Sequence, residues 1–197
     1  MKLEEARVGF ALCGSYCTHK SVLDALRAFA PQTKQTIPIL TERSGREDSR
    51  FGTNAALREQ LTAICGHPVW DNIAQVEPIG PKKLLDLLII APCTGNTLGK
   101  LSAGICDSAI TMAAKAHLRN GGPVLLAPST NDGLCVSLRN LGDLLMRKGY
   151  YCVPFSQDDP GGKPNSIVSH MELIAPAARL ALEGEQMQPL LLEKRKK

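Results

Sequence analysis

The chain has 197 residues, 44% hydrophobic and only 4% aromatic, which suits one domain with an aliphatic core and leaves too little for two. Its formal net charge of +4 resides in the last four residues, Lys194, Arg195, Lys196 and Lys197; before them nineteen basic residues face nineteen acidic ones. A neutral body lacking aromatics interleaved with lysine and arginine argues against a nucleic-acid surface, no apolar run approaches the roughly 20 residues of a membrane span, and seven cysteines without a CxxC pair fit neither a disulfide framework nor a zinc site.

Reduced, buried thiols are expected instead, in a cytoplasmic protein. Met1-Lys2-Leu3-Glu4-Glu5 carries no apolar h-region, so no secretory leader is expected. Residues 1–184 read as a single domain and residues 185–197 as a solvated basic tail.

Arg7 to Cys13 is a compact apolar run broken by Gly14-Ser15, hence a strand. Helical spacing follows from His19 to Ala30, with Val22, Leu23, Leu26 and Phe29 on one face, until Pro31 stops it. The turn between them, Cys13 to Thr18, brings the Gly14 and Ser15 amides and two hydroxyls to a helix N-terminus, where a phosphate is favoured. It is neither a P-loop nor GxGxxG, and a plain tight turn reads equally well. Gln35 to Leu40 is a second strand. Thr41 to Asn54 is a polar surface loop in which Arg50-Phe51-Gly52-Thr53 could touch a ligand, although solvated loops are commoner. Asn54 to Cys65 is an amphipathic helix ending at Gly66. His67 to Lys83 holds three prolines and reads as an extended connection.

Leu87 to Ala91 is apolar without alternation, the signature of a strand covered on both faces, and Pro92 is expected to end it. Thr94, Gly95, Asn96 and Thr97 then lead into a helix. At the carboxyl end of a parallel strand they form a candidate ligand cradle; the plain alternative is an N-cap by Thr97 or Asn96. The helical pattern breaks at Gly104, restarts at Asp107-Ser108 and runs to Leu118. Pro123 to Ala127 is another buried strand, stopped by Pro128, and Ser129 to Gly133 again places small polar residues before a helix, Leu134 to Lys148. Tyr150 to Phe155 reads as a fifth strand, Ser156 to Ser166 as a long turn-forming loop, and Ile167 to Gly184 as the last helix.

Alternating strands and helices imply an α/β fold with a three-layer, doubly wound parallel sheet, flavodoxin- or Rossmann-like. In strand order 2-1-3-4-5 the switch point falls between the first and third strands, which end in Gly14-Ser15 and in Pro92 to Thr97. A nucleotide-type ligand such as FMN binds at that point in this topology.

Pro92-x-Thr94-x-Asn96-Thr97-x-x-Lys100-Leu101-x-x-Gly104-x-x-Asp107 resembles the flavoprotein family that includes flavin-dependent cysteine decarboxylases and flavin prenyltransferases. The resemblance runs from Arg7 to about Leu182. Phe10-x-Leu12-x-Gly14-Ser15-x-Cys17-Thr18, Arg50-Phe51-Gly52, Ala113-Ala114-Lys115-Ala116-x-x-Arg119-Asn120, Ser129-Thr130-Asn131-Asp132 and Phe155-x-Gln157-Asp158-Asp159-Pro160-x-x-Lys163-Pro164-Asn165-Ser166 narrow it to the family of dipicolinate synthase B subunits. That resemblance implies one half of a two-subunit oxidoreductase. It would oxidise a dihydrodipicolinate-type precursor, a small dicarboxylate, to pyridine-2,6-dicarboxylate in the mother-cell cytoplasm of a sporulating bacterium. The partner, the dipicolinate synthase A subunit, would carry NAD(P), and this chain FMN. By the same resemblance Gly14, Ser15 and Thr18 would hold the FMN phosphate. Pro92, Thr94, Gly95, Asn96 and Thr97 would take the phosphate or the ribityl chain and ring edge, with Ser129 and Thr130 approaching from the next strand. A homo-oligomer is also in keeping with the family. The decarboxylases' histidine has no counterpart in Glu77 to Lys83, and their Met-Asn clamp is replaced by Ser129 to Asp132, so decarboxylation is not expected. The alternative role is a non-redox binding or scaffolding subunit.

No catalytic residue follows from these motifs. Arg43, Arg50, Lys82, Lys100 and Lys163 are candidate cations for a dicarboxylate. Cys93 reads as a packed thiol, His19 as exposed, Asp107 as an N-cap, and Asn165 or Ser166 as the cap of the last helix. Asp158 and Asp159 read as ordering their loop, with no metal expected. That loop is expected to cover the crevice or meet the partner subunit.

Overall fold

A computed structural model describes residues 1–42 and 48–193. Five parallel strands form the body of the sheet: β1 (Arg7–Leu12), β2 (Gln35–Leu40), β3 (Leu87–Cys93), β4 (Val124–Thr130) and β5 (Tyr150–Cys152). Their order is 2-1-3-4-5, which puts the reversal between β1 and β3 as expected. β1 lies with Gly9 opposite Leu88 and Phe10 opposite Ile89.

The period of two in each strand sorts the core. Val8, Phe10, Leu12, Leu87, Ile89, Ala91, Leu125 and Ala127 face one layer, with α1 (His19–Phe29), α2 (Asn54–Cys65) and α8 (Ile174–Glu183). Ala11, Cys13, Leu88, Ile90, Cys93, Val124 and Leu126 face the other. That layer comprises the single turns α3 (Ile73–Val76) and α4 (Ile79–Lys82), then α5 (Gly95–Ala103), α6 (Ala109–Leu118) and α7 (Val136–Leu145). Both faces of β3 are fully buried, so its unbroken apolar run is the covered-strand pattern.

Several boundaries depart from the sequence reading. Among the described residues the sheet is mixed, with seven strands: Ser156 to Ser166 belongs to a hairpin of β6 (Phe155–Asp159) and β7 (Lys163–Ser169), and β7 runs antiparallel to β4. Pro160-Gly161-Gly162 is the turn, and Ile167 sits inward between strand neighbours instead of starting a helix. The last helix begins at Ile174, where Pro176 falls in its first turn and loses no intrahelical bond. Asn165 and Ser166 are therefore strand residues and cap nothing. Residues 67–83 wind into α3 and α4 because Asn72 caps the former, its Oδ1 accepting from the Gln75 amide at 3.1 Å. Pro92 and Pro128 end neither strand. They lie within β3 and β4, Pro128 opposite Cys93, where an irregular register already interrupts the ladder; the Ala91–Pro92 peptide is cis. In the C-terminal stretch Gln186 bonds both backbone groups of Cys152, and Leu190 and Leu192 flank Phe155 in β-like pairing, so this part is docked against β5 and β6. Its four terminal basic residues, like Arg43, lie outside the described residues. Among the described residues no helix is long and apolar enough to cross a membrane.

Candidate functional site

The site forms where the two reversals of the sheet meet. The Cys13 amide donates to the Pro92 carbonyl at 3.2 Å, tying the ends of β1 and β3 together. Past Cys13 the chain turns through Gly14-Ser15 into a 3-10 turn, Tyr16–Thr18, that feeds α1. The Thr18 hydroxyl and amide both donate to the Ser15 carbonyl, at 2.7 and 3.0 Å. The Ser15 hydroxyl lies 3.2 Å from that of Ser129 at the end of β4, and Ser129 donates to Thr18 Oγ1 at 3.3 Å. Three hydroxyls from two distant segments thus form one cluster beside a helix N-terminus.

Across the crevice Thr94, rather than Asn96 or Thr97, is the N-cap of α5: its Oγ1 accepts from the Thr97 amide at 3.3 Å. A non-helical Thr94 backbone gives the cap its geometry. The first-turn amides of Gly95 and Asn96 have no partner within the helix. Under Gly95 lies Asp132, whose carboxylate accepts from the Thr130 and Ser137 hydroxyls. These bonds, the Thr130 one foremost, hold its carboxyl below the usual carboxylate range. A Cβ on Gly95 would come within 2.5 Å of Ser137 Oγ, 2.6 Å of Asp132 Oδ1 and 2.9 Å of Thr130 Oγ1. Only glycine lets α5 start this close to the β4–α7 loop.

The resulting cavity, about 970 Å³, is lined by Gly14, Ser15, Thr18, Thr94, Gly95, Asn96, Ser129 and Thr130. Eight of the ten residues singled out as ligand contacts therefore share one crevice, Ser15 and Asn96 among them. Pro92 and Thr97 do not line it. Pro92 acts through its carbonyl on Cys13. Thr97 is buried, its hydroxyl 3.1 Å from both Thr94 Oγ1 and Cys13 Sγ. It borders a neighbouring cavity of about 650 Å³ that shares Gly14, Tyr16, Thr94 and Asn96. Asn131, Asp132, Tyr16, Cys17, Arg50, Phe51 and the hairpin residues Asp158, Lys163, Ser166, Ile167 and Val168 complete the main cavity among the described residues. Hence the 156–166 segment forms a wall of the crevice. Tyr16 carried one overlooked signal: an aromatic inside a Gly-Ser turn has no core to enter.

The remaining candidates have local duties. His19 is buried, not exposed. Its Nε2–H donates to the Cys13 carbonyl at 2.8 Å, its ring lies against Tyr16, and burial lowers its pKa. Lys100 pairs with Asp107 at 2.9 Å, and Ser108, not Asp107, caps α6. Cys93 is fully buried, which pushes its thiol up, while contacts from Cys93 and then Thr97 lower that of Cys13. The expectation of buried thiols holds for Cys13, Cys93 and Cys152, is half met at Cys65 and Cys106, and fails at Cys17 and Cys135, which are exposed. Lys163 pairs with Asp158 at 3.0 Å, and Lys82 closes α4 away from the crevice.

Residues 2–138 match the family model described as Flavoprotein. The chain is 39% identical to the dipicolinate synthase B subunit of Bacillus subtilis (strain 168) over 191 residues, which are 97% of this chain and 96% of that protein. The crystal structure of the dipicolinate synthase B subunit from Bacillus halodurans C superposes with a TM-score of 0.89 at 39% identity, covering 98% of this chain and all of the other. The FMN-dependent cysteine decarboxylase SpaF shares the fold, with a TM-score of 0.65 at 20% identity over 92% of this chain and 99% of that one.

Proposed function

Since the chain belongs to the flavoprotein family, within it to the group of dipicolinate synthase B subunits, we propose that it is the flavin-binding half of a two-subunit oxidoreductase. Its reaction would be the oxidation of a dihydrodipicolinate-type precursor to pyridine-2,6-dicarboxylate, in the mother-cell cytoplasm during sporulation. Its partner would be the dipicolinate synthase A subunit, bearing NAD(P).

The observation that carries this reading is the convergence of two helix N-termini and the Ser15–Thr18–Ser129 hydroxyl cluster on one crevice. That donor set fits FMN. A phosphate suits the hydroxyl cluster and the amides of the turn before α1, since both the groups and the helix end favour a dianion. Asp132, an ionised carboxylate under Gly95, makes the α5 end less hospitable to a second anion and suits it to ribityl hydroxyls, along with Thr94, Asn96 and Thr130. Thr97 then acts through Thr94, holding the cap in place. When bound, FMN supplies a two-electron acceptor; the protein's part is to bind, orient and shield. Loss of a hydride and a proton makes the dihydropyridine ring aromatic, so the chemistry asks for orientation more than for a strong base.

Purified chain titrated with FMN tests this. Quenching of flavin fluorescence on binding is expected, with affinity lowered about tenfold or more by Asn96→Ala and by Ser129→Ala, the cost of one or two hydrogen bonds to ligand. A chain that ignores FMN yet restores activity to its NAD(P)-bearing partner would be assigned the scaffolding role instead.

A further inference from the structure

Among the described residues four charged side chains line the main cavity: Arg50, Asp132, Asp158 and Lys163. Three are engaged, Asp132 by two hydroxyls and Asp158 with Lys163 at 3.0 Å. Arg50 has only an aromatic ring, its guanidinium carbon 4.8 Å from the centroid of Phe51; no carboxylate of the described residues pairs with it. Both residues sit at the tip of a tight turn. Ser49 and Gly52 exchange backbone hydrogen bonds at 3.0 and 3.1 Å, and Gly52 takes a φ of +144°. Asp48 accepts from the Asn54 amide at 2.9 Å, and Thr53 caps α2, fixing the turn to that helix. The turn therefore presents a cation and a 55%-exposed phenyl ring to a polar crevice. An aromatic side chain left largely in solvent on a braced turn forgoes burial that a ligand covering it would restore.

We propose that Arg50 and Phe51 form a binding subsite for a planar aromatic or dihydroaromatic carboxylate, Arg50 taking the carboxylate and Phe51 the ring face. A guanidinium is planar, permanently charged and forked, the match for a bidentate carboxylate. Stacking on Phe51 holds the ligand ring flat beside the crevice. Lys163 is a poorer anchor, because it must first leave Asp158. The inference rests on the reading of the crevice as a flavin and dicarboxylate site, and names the residues that select the second ligand.

The test is calorimetric titration of the full chain, with and without saturating FMN, using pyridine-2,6-dicarboxylate, pyridine-2-carboxylate and unsubstituted pyridine. Binding of both carboxylates and not of pyridine is expected. Arg50→Gln should weaken the carboxylates about tenfold to a hundredfold, as loss of charge-assisted bonds does. Arg50→Lys should recover part of the loss, and Phe51→Ala should weaken both while FMN affinity holds. Carboxylate binding untouched by Arg50→Gln overturns the subsite and leaves the flavin reading standing. So does an Arg50→Gln or Phe51→Ala effect confined to FMN, which would mark the pair as flavin contacts. FMN binding without any carboxylate binding overturns both the subsite and the dicarboxylate reading.

Discussion

Gly95→Ala probes the site and the fold together. The alanine methyl would stand 2.5 Å from Ser137 Oγ, 2.6 Å from Asp132 Oδ1 and 2.9 Å from Thr130 Oγ1. Ser137 is buried on α7 and its hydroxyl is engaged, donating to Asp132 at 2.9 Å. Relief requires either that α5 move off the β4–α7 loop or that Asp132 give up a hydroxyl donor. Overpacking of this kind costs about 1–3 kcal/mol, and a lost hydrogen bond to a carboxylate about 1.5–3 kcal/mol. Allowing for partial relaxation, we expect a net loss of about 2–4 kcal/mol. For a chain of this size that is a fall in Tm of about 10 °C. Gly142→Ala is the internal control. It lies in α7 with nothing within 4 Å of the new methyl, so replacing glycine by alanine there should stabilise by about 0.5–1 kcal/mol. Urea unfolding followed by circular dichroism reads both, and FMN titration of Gly95→Ala reads the crevice. If Gly95→Ala proves as stable as Gly142→Ala, α5 does not start in contact with Asp132 and the crevice described here is wrong.

Other consequences follow from buried charge and buried sulfur. His117 is buried and neutral, its Nε2–H donating to the Pro123 carbonyl at 3.1 Å, and burial lowers its pKa to about 4. The unfolded chain takes up that proton near pH 6.5, so stability is complete above pH 6.5 and falls as pH drops toward 4, by up to roughly 3 kcal/mol. Urea midpoints at pH 7 and 5 should show the fall, and His117→Gln should shrink it, leaving the smaller part due to buried His19. Asp86 accepts the Arg7 amide, Nε and Nη2 at 2.8–2.9 Å where β1 meets β3; Asp86→Asn should cost about 2 kcal/mol in the same assay, and an unchanged midpoint would show the pair to be ornamental. Disulfide-exchange titration should find Cys17 and Cys135 fast and Cys13, Cys93 and Cys152 silent until unfolding. FMN should protect Cys17, which lines the crevice, and spare Cys135; protection of both or neither would place the ligand elsewhere.

Local chemistry by itself determined the parallel core. The apolar runs at Arg7 to Cys13, Leu87 to Ala91 and Pro123 to Ala127 read as strands between helical layers, and Asn54 to Cys65 was legible to the residue from its amphipathic spacing and Gly66, with Thr53 revealed as its cap only by the structure. Both polar turns that frame the crevice could be located the same way, since the carboxyl ends of such strands gather at one edge. Tertiary contact decided the rest. Whether Ile167 enters a helix or a strand depends on whether β4 has a free edge at Ser129 and Thr130, and periodicity over so short a run cannot report that. His19 has no local sign of burial; it is buried because the Cys13 carbonyl, six residues earlier, turns to receive it. The sequence offered Asn96 or Thr97 as the cap, yet Thr94 takes the role because its backbone is extended and the Thr97 hydroxyl is held by Cys13, just past β1. Hydrogen bonds and van der Waals contacts act over a few ångströms of space, and where the segments that meet are 84 or 114 residues apart, only the folded chain brings the partners within range.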